Sequence, residues 1–319
     1  MTVLYPELEP YKTHHLVRDE HTLMVEECGN PDGLAALFLH GGPGSGCKPY
    51  HRRFFDPAIY RVILVDQRGS GRSTPQGELN RNTTAVLLED LEFIRTWLGI
   101  HQWLVFAGSW GATLALLLAQ GYPDHVAGLI LRGTFLARAS DLAWFFGEGG
   151  VRKIYPEAWA RLLDALTEEE SADPIQSLYR HVIGSDELAQ RRAARALDGW
   201  SSQVTVPEFF NPDSHDEHVS KESLNAARIG LHYAANRYFI PENAVLEGCE
   251  RIRHIPTQII HGRRDLVCPV ESATSLHRQL PNSTLRILET AGHVAAGDDM
   301  ISALVEATDT MATTLGLGK

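Results

Sequence analysis

The sequence is poor in cysteine and contains no long hydrophobic run. Its four cysteines among 319 residues, Cys28, Cys47, Cys249 and Cys268, are widely separated and form no C-x-x-C pair, so neither a disulfide framework nor a structural zinc site is expected. No apolar run approaches the roughly 20 residues that cross a bilayer. Residues Met1–Pro10 lack the basic and apolar regions of a secretory signal. These absences predict a cytoplasmic protein that does not enter a membrane.

Positive charge is also in short supply. Lys and Arg number 29 against 40 Asp and Glu, which gives a formal net charge of −11. Nucleic-acid binding and attachment to anionic membranes both need clustered positive charge, so neither partner is expected. The 44% hydrophobic and 22% charged residues exclude a disordered or fibrous chain. A length of 319 residues suits one large α/β unit with an insertion.

Short apolar segments predict a mostly parallel sheet. Ala35–His40, Arg61–Asp66 and Trp103–Ala107 are nearly free of charge, as in strands that are buried on both faces. Apolar residues recur at helical spacing in Thr83–Leu98 and Gly111–Gln120, and this strand–helix alternation indicates an open, doubly wound sheet. Further strands are predicted at Leu16–Arg18 and Thr22–Glu26 (an antiparallel hairpin), Val126–Leu131, Thr257–His261 and Ser283–Leu288, with a last helix at Met300–Thr313.

A helical segment interrupts this pattern. From about Leu136 to about Arg251 the sequence has helix-like stretches and no strong strand signal. We therefore expect a core domain made of residues 1–135 and 252–319 and an inserted, all-helical cap domain at 136–251. An insertion at the carboxyl edge of such a sheet covers the place where α/β proteins bind ligands.

A serine stands where the third buried strand meets the apolar helix. Gly108-Ser109-Trp110-Gly111 matches a nucleophile elbow, in which small residues let a strand turn sharply into a helix below the serine side chain. The usual G-x-S-x-G pattern has Ala107 in its first position here, which is small enough to avoid a clash. A match this short also fits an ordinary Ser-Gly helix cap, so supporting residues are needed.

The glycine loop His40–Gly44 directly follows the first buried strand and supplies such support. Glycines at this place let the backbone donate an N–H to a substrate carbonyl. Gly42, with Gly41 as the alternative, is the expected oxyanion-hole donor, together with the backbone N–H of Trp110.

Chain order supplies the other support. Asp265 and His293 each follow a late strand, so we expect them at the same sheet edge as Ser109 and in the order that this type of nucleophile requires. In such a triad, His293 takes the hydroxyl proton, while Asp265 orients and stabilises the imidazole.

The remaining polar candidates have simpler interpretations. His40 is expected to brace its own loop, His261 to pack at a strand end, and Asp66 or Arg68 to brace the loops beside the site. The segment Asp66–Ser73 lacks the glycine spacing of a dinucleotide fingerprint.

Cys47 lies close to the glycine loop and is expected to be a structural thiol. His215 and His218 are two potential metal ligands without a third. No metal and no cofactor are expected.

With these residues assembled, the chain resembles the prolyl iminopeptidases, which are proline-specific aminopeptidases of the α/β-hydrolase superfamily. The resemblance is carried by Leu4–Tyr11, Cys28–Gly33, the HGGPG loop, the DQRGSGRS segment from Asp66, GSWGATLAL from Gly108, Leu131–Gly133, Arg251–Pro256 and the loops of Asp265 and His293. It implies an α/β-hydrolase fold and a cofactor-free serine peptidase that removes an N-terminal residue, typically proline, with Ser109, Asp265 and His293 as its triad.

The cap departs from the family pattern. The resemblance implies W-S-x-W-E and A-R-I-E-N-H-Y-F segments, whose glutamates hold the amine of the substrate. The corresponding stretches here read Trp200-Ser201-Ser202-Gln203 and Ala227-Arg228-Ile229-Gly230, so Gln203 and Gly230 are the expected substrate-binding positions. Each lost charge-assisted hydrogen bond is worth about 1.5–3 kcal/mol, and another cap acid such as Glu208 or Glu222 is the available replacement.

Two activities on small substrates follow from this departure. The first is a prolyl-type aminopeptidase with a rebuilt amine site, acting on small peptides. The second is a serine esterase or amidase that acts on a neutral or modified substrate. A catalytically silent binding protein is disfavoured by the intact order of serine, aspartate and histidine.

Overall fold

Eight strands form one sheet that is parallel except at one end. The computed structural model describes residues 3–208, 210–211 and 219–316. The strands are β1 (Lys12–Arg18), β2 (His21–Gly29), β3 (Leu34–Leu39), β4 (Tyr60–Asp66), β5 (Trp103–Gly108), β6 (Val126–Arg132), β7 (Thr257–Gly262) and β8 (Ser283–Leu288). Their spatial order is β1-β2-β4-β3-β5-β6-β7-β8. Strand β2 pairs antiparallel with β1 and β4, and the remaining pairs are parallel.

The central strands are buried on both faces, which explains their continuous apolar sequences. In β3, Leu37 and Leu39 face one hydrophobic cluster, while Phe38 faces the other. Val105 and Phe106 of β5 divide in the same way. Because successive side chains of a strand point to opposite faces, a strand between two helical layers needs apolar residues at every position.

Helices cover both faces of the sheet. In chain order, the helices of the described residues are α1 (Thr84–Trp97), α2 (Trp110–Gly121), α3 (Ala139–Phe146), α4 (Pro156–Leu163), α5 (Pro174–Ile183), α6 (Glu187–Thr205), α7 (Lys221–Ala235), α8 (Ala244–Glu247), α9 (Val270–Gln279) and α10 (Asp298–Thr314). Apolar residues of α1, α2 and α9 pack in one layer, and those of α10 pack in the other. No helix in the described ranges is long and apolar enough to span a bilayer.

The described residues between β6 and β7 form helices and no strand. We call α3–α8 the cap segment. It has a hydrophobic cluster of its own, centred on Trp159, Leu178, Trp200 and Leu231. The predicted strands and the doubly wound, mostly parallel sheet are confirmed. The hairpin strands are longer than predicted, because pairing continues from Arg18↔His21 as far as Lys12↔Glu27.

Candidate active site

Ser109 lies in a sharp turn between β5 and α2. Its backbone has φ 58° and ψ −127°, a conformation that non-glycine residues rarely adopt. Its backbone N–H donates to the carbonyl of Arg132 on the neighbouring strand at 2.9 Å. A Cβ at Gly108 would overlap the Arg132 guanidinium, and one at Gly111 would overlap the Leu39 carbonyl. The small residues of the motif are therefore required by close packing around the serine.

Asp265 and His293 are joined by a short hydrogen bond. Nδ1 of His293 lies 2.7 Å from Oδ2 of Asp265, and both side chains are buried. The other carboxylate oxygen, Oδ1, accepts the backbone N–H groups of Val267 at 3.0 Å and Cys268 at 2.8 Å. Burial by itself raises the pKa of Asp265, but the His293 ring and the other nearby donors outweigh it, and the pKa lies below its ordinary value.

Ser109 and His293 open into one cavity of about 670 Å³ beneath the cap segment. Arg132 also lines this cavity, and its Nη1 donates to the His293 carbonyl at 2.6 Å. The Cys268 thiol faces the Ser109 hydroxyl, and burial raises the pKa of Cys268 well above its ordinary value. Sequence patterns gave no role to Arg132 or Cys268, because each is recognised only by its place beside the serine and the histidine.

The glycine loop lies directly beside the serine. Gly41 and Gly42 line the cavity, and a Cβ built on Gly41 would come within 3.7 Å of the Ser109 hydroxyl oxygen. Gly42 has φ 109°, which favours glycine. Trp110 begins α2, so its backbone N–H is one of the groups at the helix start that lack an intrahelical acceptor. Trp110 therefore directly follows Ser109 and Gly42 lines the same cavity, while the close approach to the Ser109 hydroxyl is made by Gly41, the alternative donor position.

A hydrogen-bonded chain connects the glycine loop to the start of α2. The indole Nε1 of Trp110 donates to Oε1 of Gln67 at 3.0 Å, and Nε2 of Gln67 donates to the His40 carbonyl at 2.9 Å. The Gln67 backbone N–H donates to Nε2 of His40 at 3.1 Å. Burial lowers the pKa of His40, which favours the neutral ring that this acceptor role requires. The predicted bracing role of His40 is confirmed, whereas Gln67 was not predicted.

The segment after β4 is held by buried charges, as predicted for Asp66 and Arg68. Asp66 accepts the Cys47 backbone N–H at 2.6 Å and Nε of Arg72 at 2.9 Å. Arg68 pairs with Asp90 of α1 through Nε at 2.5 Å and Nη2 at 2.9 Å. The Cys47 side chain is buried against the strands and is absent from the described cavity lining, as expected of a structural thiol.

The cap segment presents a different residue to the cavity than the sequence match suggests. Gly230 of α7 lines the cavity as predicted, but the α6 residues in the described lining include Asp198, Ser201 and Thr205 and not Gln203. Because a helix turns about 100° per residue, Gln203 is rotated by roughly 200° from Ser201 and lies on the opposite side of α6. Ser201 therefore replaces Gln203 as the α6 candidate for substrate contact.

Of the acids considered as replacements, Glu222 lines the cavity mouth, and Glu208 lies 3.9 Å from Arg264 in an exposed pair. Asp141, which the sequence analysis did not single out, also lines the cavity, but Arg138 engages both of its oxygens. His215 and His218 lie outside the described residues. Within the described ranges, no three His, Cys, Asp or Glu side chains form a group that could hold a metal ion.

Comparison with known proteins identifies the family. A model of the alpha/beta hydrolase fold matches residues 37–299. The chain is 45% identical to a proline iminopeptidase of Xanthomonas citri over 97% of its own length and 99% of that protein. It is 44% identical to a proline iminopeptidase of Arabidopsis thaliana over 98% of its own length and 83% of that protein. The chain belongs to the proline iminopeptidase family of α/β hydrolases.

Membership of the proline iminopeptidase family makes the chain a hydrolase enzyme and confirms the resemblance found in its motifs. A solved structure of a probable hydrolytic enzyme from Pseudomonas aeruginosa has the same fold, with a TM-score of 0.63, 18% identity and 99% coverage of both chains. That similarity concerns the fold alone, because the sequence identity is low.

Proposed function

We propose that this chain is a serine aminopeptidase that releases an N-terminal proline-type residue from small peptides. The proposal depends chiefly on the Asp265–His293 hydrogen bond of 2.7 Å in the same pocket as the strained Ser109. Its substrate class comes from the relatives named proline iminopeptidase. No step of the proposed reaction requires a cofactor.

The proposed reaction has two halves. His293 accepts the proton of Ser109 as the hydroxyl oxygen attacks the carbonyl carbon, and Asp265 stabilises the resulting imidazolium. The backbone N–H groups of Gly42 and Trp110 stabilise the oxyanion. His293 then gives its proton to the departing amine, and the C–N bond breaks to leave an ester on Ser109. Water, activated by His293, hydrolyses this ester and regenerates the serine.

Whether the substrate must carry a free N-terminal amine depends on the residues that the cap segment presents to the cavity. Ser201 and Gly230, which lack a carboxylate, face the cavity. We therefore compare a proline arylamide, its N-acylated form and a short-chain ester as substrates. Turnover of the free-amine compound supports the aminopeptidase. Turnover confined to the acylated compound or the ester identifies the amidase or esterase alternative instead.

The triad assignment predicts the effect of two substitutions. Ser109→Ala and His293→Ala should each lower kcat by about 10⁴–10⁶-fold, because removal of either group abolishes the covalent route. Ser109→Ala should also abolish labelling by a fluorophosphonate. Ser275→Ala is the control and should retain wild-type activity, because Ser275 is a half-buried residue of α9 that is absent from the described cavity lining. Near-wild-type turnover by Ser109→Ala would exclude this triad.

A further inference from the structure

His261 is a buried histidine that the proposed reaction does not use. It is the penultimate residue of β7, and its side chain has no exposed surface. Its Nδ1 accepts the backbone N–H of Thr134 at 3.2 Å. A backbone amide only donates, so the His261 proton must be on Nε2. Nε2 in turn donates to the Cys268 carbonyl at 2.8 Å.

The two loops that His261 joins enclose the Asp265–His293 hydrogen bond. Thr134 follows Gly133, where a Cβ would lie 3.2 Å from both Oδ2 of Asp265 and Nδ1 of His293. Cys268 ends the turn whose backbone N–H groups bind Oδ1 of Asp265. His261 therefore fixes one segment on each side of the acid.

The donor nitrogen of His261 also faces the acid directly. Nε2 lies 3.5 Å from Oδ2 of Asp265, the oxygen that binds His293. This distance is too long for a good hydrogen bond, and the Nε2–H is donated to the Cys268 carbonyl, but a partly positive N–H group this close to the carboxylate favours its ionised form. Burial lowers the pKa of His261 and so favours the neutral ring. A neutral ring leaves Nδ1 available to accept the Thr134 N–H.

We propose that His261 is a positioning residue of the triad, which sets the orientation of the Asp265 carboxylate toward His293. This role goes beyond packing at a strand end and rests on the proposed triad. Its effect should appear in the chemical step and not in substrate binding, because His261 does not line the described part of the cavity. Errors of about 1 Å in such geometry cost roughly 100-fold in rate.

Two substitutions distinguish the role of Nε2 as a donor from the role of Nδ1 as an acceptor. His261→Gln places an amide N–H near the position of Nε2 and keeps the donor to the Asp265 loop. His261→Asn places a carbonyl near Nδ1 and keeps only the acceptor for Thr134. We expect His261→Asn to lower kcat about 10–100-fold with KM within about twofold, and His261→Gln to retain kcat within about threefold. The midpoints of thermal unfolding of both variants measure how much stability each substitution removes.

His277→Asn is the matched control, because His277 is a half-buried histidine on α9 that bonds to Ser283. It should leave kcat unchanged. Equal kcat losses in His261→Gln and His261→Asn that follow their losses of stability would overturn the proposal, as would a change confined to KM.

The rate at which a fluorophosphonate labels Ser109 provides a test that needs no peptide substrate. It should fall in His261→Asn in the same proportion as kcat. If the wild type labels rapidly but does not cleave the proline arylamide, the proposed function fails while this measurement still decides the role of His261. Nitrogen-15 NMR of the wild type should show His261 as the neutral Nε2–H tautomer at pH 7, and an Nδ1–H or charged ring would refute the proposal even if no variant folds.

Discussion

Gly133 contributes to the site through the side chain that it lacks. Its φ is 55°, and it lies against the hydrogen bond between Asp265 and His293. A methyl group at this position would enter the space 3.2 Å from both bonded atoms. It would also make a left-handed conformation costly for the backbone.

Gly133→Ala should therefore lower kcat by about 10–100-fold with a smaller change in KM, because the triad is displaced while the cavity is retained. Steady-state kinetics with the proline arylamide provides the measurement. Gly121→Ala is the control, since in the described part of the chain no atom outside the backbone of α2 lies within 4 Å of the added Cβ. Unchanged kcat in a correctly folded Gly133→Ala variant would mean that the loop can move aside freely.

At the scale of the elements, the start of α2 is fixed relative to the glycine loop by the Trp110–Gln67–His40 hydrogen bonds. Trp110→Phe would remove the indole donor and leave the buried Oε1 of Gln67 without it. An unsatisfied buried acceptor costs about 1–3 kcal/mol of folding free energy.

We expect Trp110→Phe to lower the free energy of unfolding by that amount and kcat by about tenfold, since misplacement of an oxyanion donor weakens transition-state stabilisation. Urea unfolding and kinetics measure the two effects. Trp97→Phe is the comparison, because Trp97 is 49% exposed on α1. A stability loss without any change in kcat would show that the bond fixes the fold and not the oxyanion hole.

The elements show why part of the site was predictable and part was not. Apolar runs such as Arg61–Asp66 are visible in sequence because burial on both faces constrains every residue. Ser109 could be predicted from a local motif, and Asp265 and His293 from their order after it. The α6 contact could not, since a shift of two residues along a helix turns a side chain to the far side. The role of His261 depends on loops that meet only in the folded chain.

The facing helices α6 and α7 also permit a test of amine recognition. Among the described residues outside the backbone of α7, a Cβ on Gly230 would meet only the Pro43 carbonyl, at 3.7 Å. Because Gly230 also lines the cavity, a longer side chain has room. Gly230→Glu should lower KM for the free-amine proline arylamide about tenfold relative to Gly230→Gln, because a charge-assisted hydrogen bond to the ammonium is worth about 1.5–3 kcal/mol. An equal KM in the two variants would mean that the amine does not reach α7.

For the molecule as a whole, the buried histidines should control how stability changes with pH more than the net charge of −11 does. His40, His51 and His261 are buried around the carboxyl edge of the sheet, and burial lowers the pKa of each, that of His51 to about 3. In the unfolded chain a histidine titrates near pH 6.5. Below that pH the unfolded state therefore binds protons that the folded state does not.

The free energy of unfolding should accordingly fall as the pH drops from 7 to 5, by up to about 1.4 kcal/mol per pH unit for each of these histidines. The Asp265 carboxylate, whose pKa is lowered, adds its own loss only at more acidic pH, as protonation of the unfolded carboxyl begins. Urea unfolding at pH 7.5, 6 and 5 measures how the free energy of unfolding changes with pH.

His51→Gln removes the ring that stacks on Phe38 at 4.2 Å, so the variant should be less stable than the wild type at pH 7. It should also lose less stability on acidification, because its unfolded state takes up about one proton fewer. A slope identical to that of the wild type would mean that His51 does not contribute to the acid sensitivity of the fold.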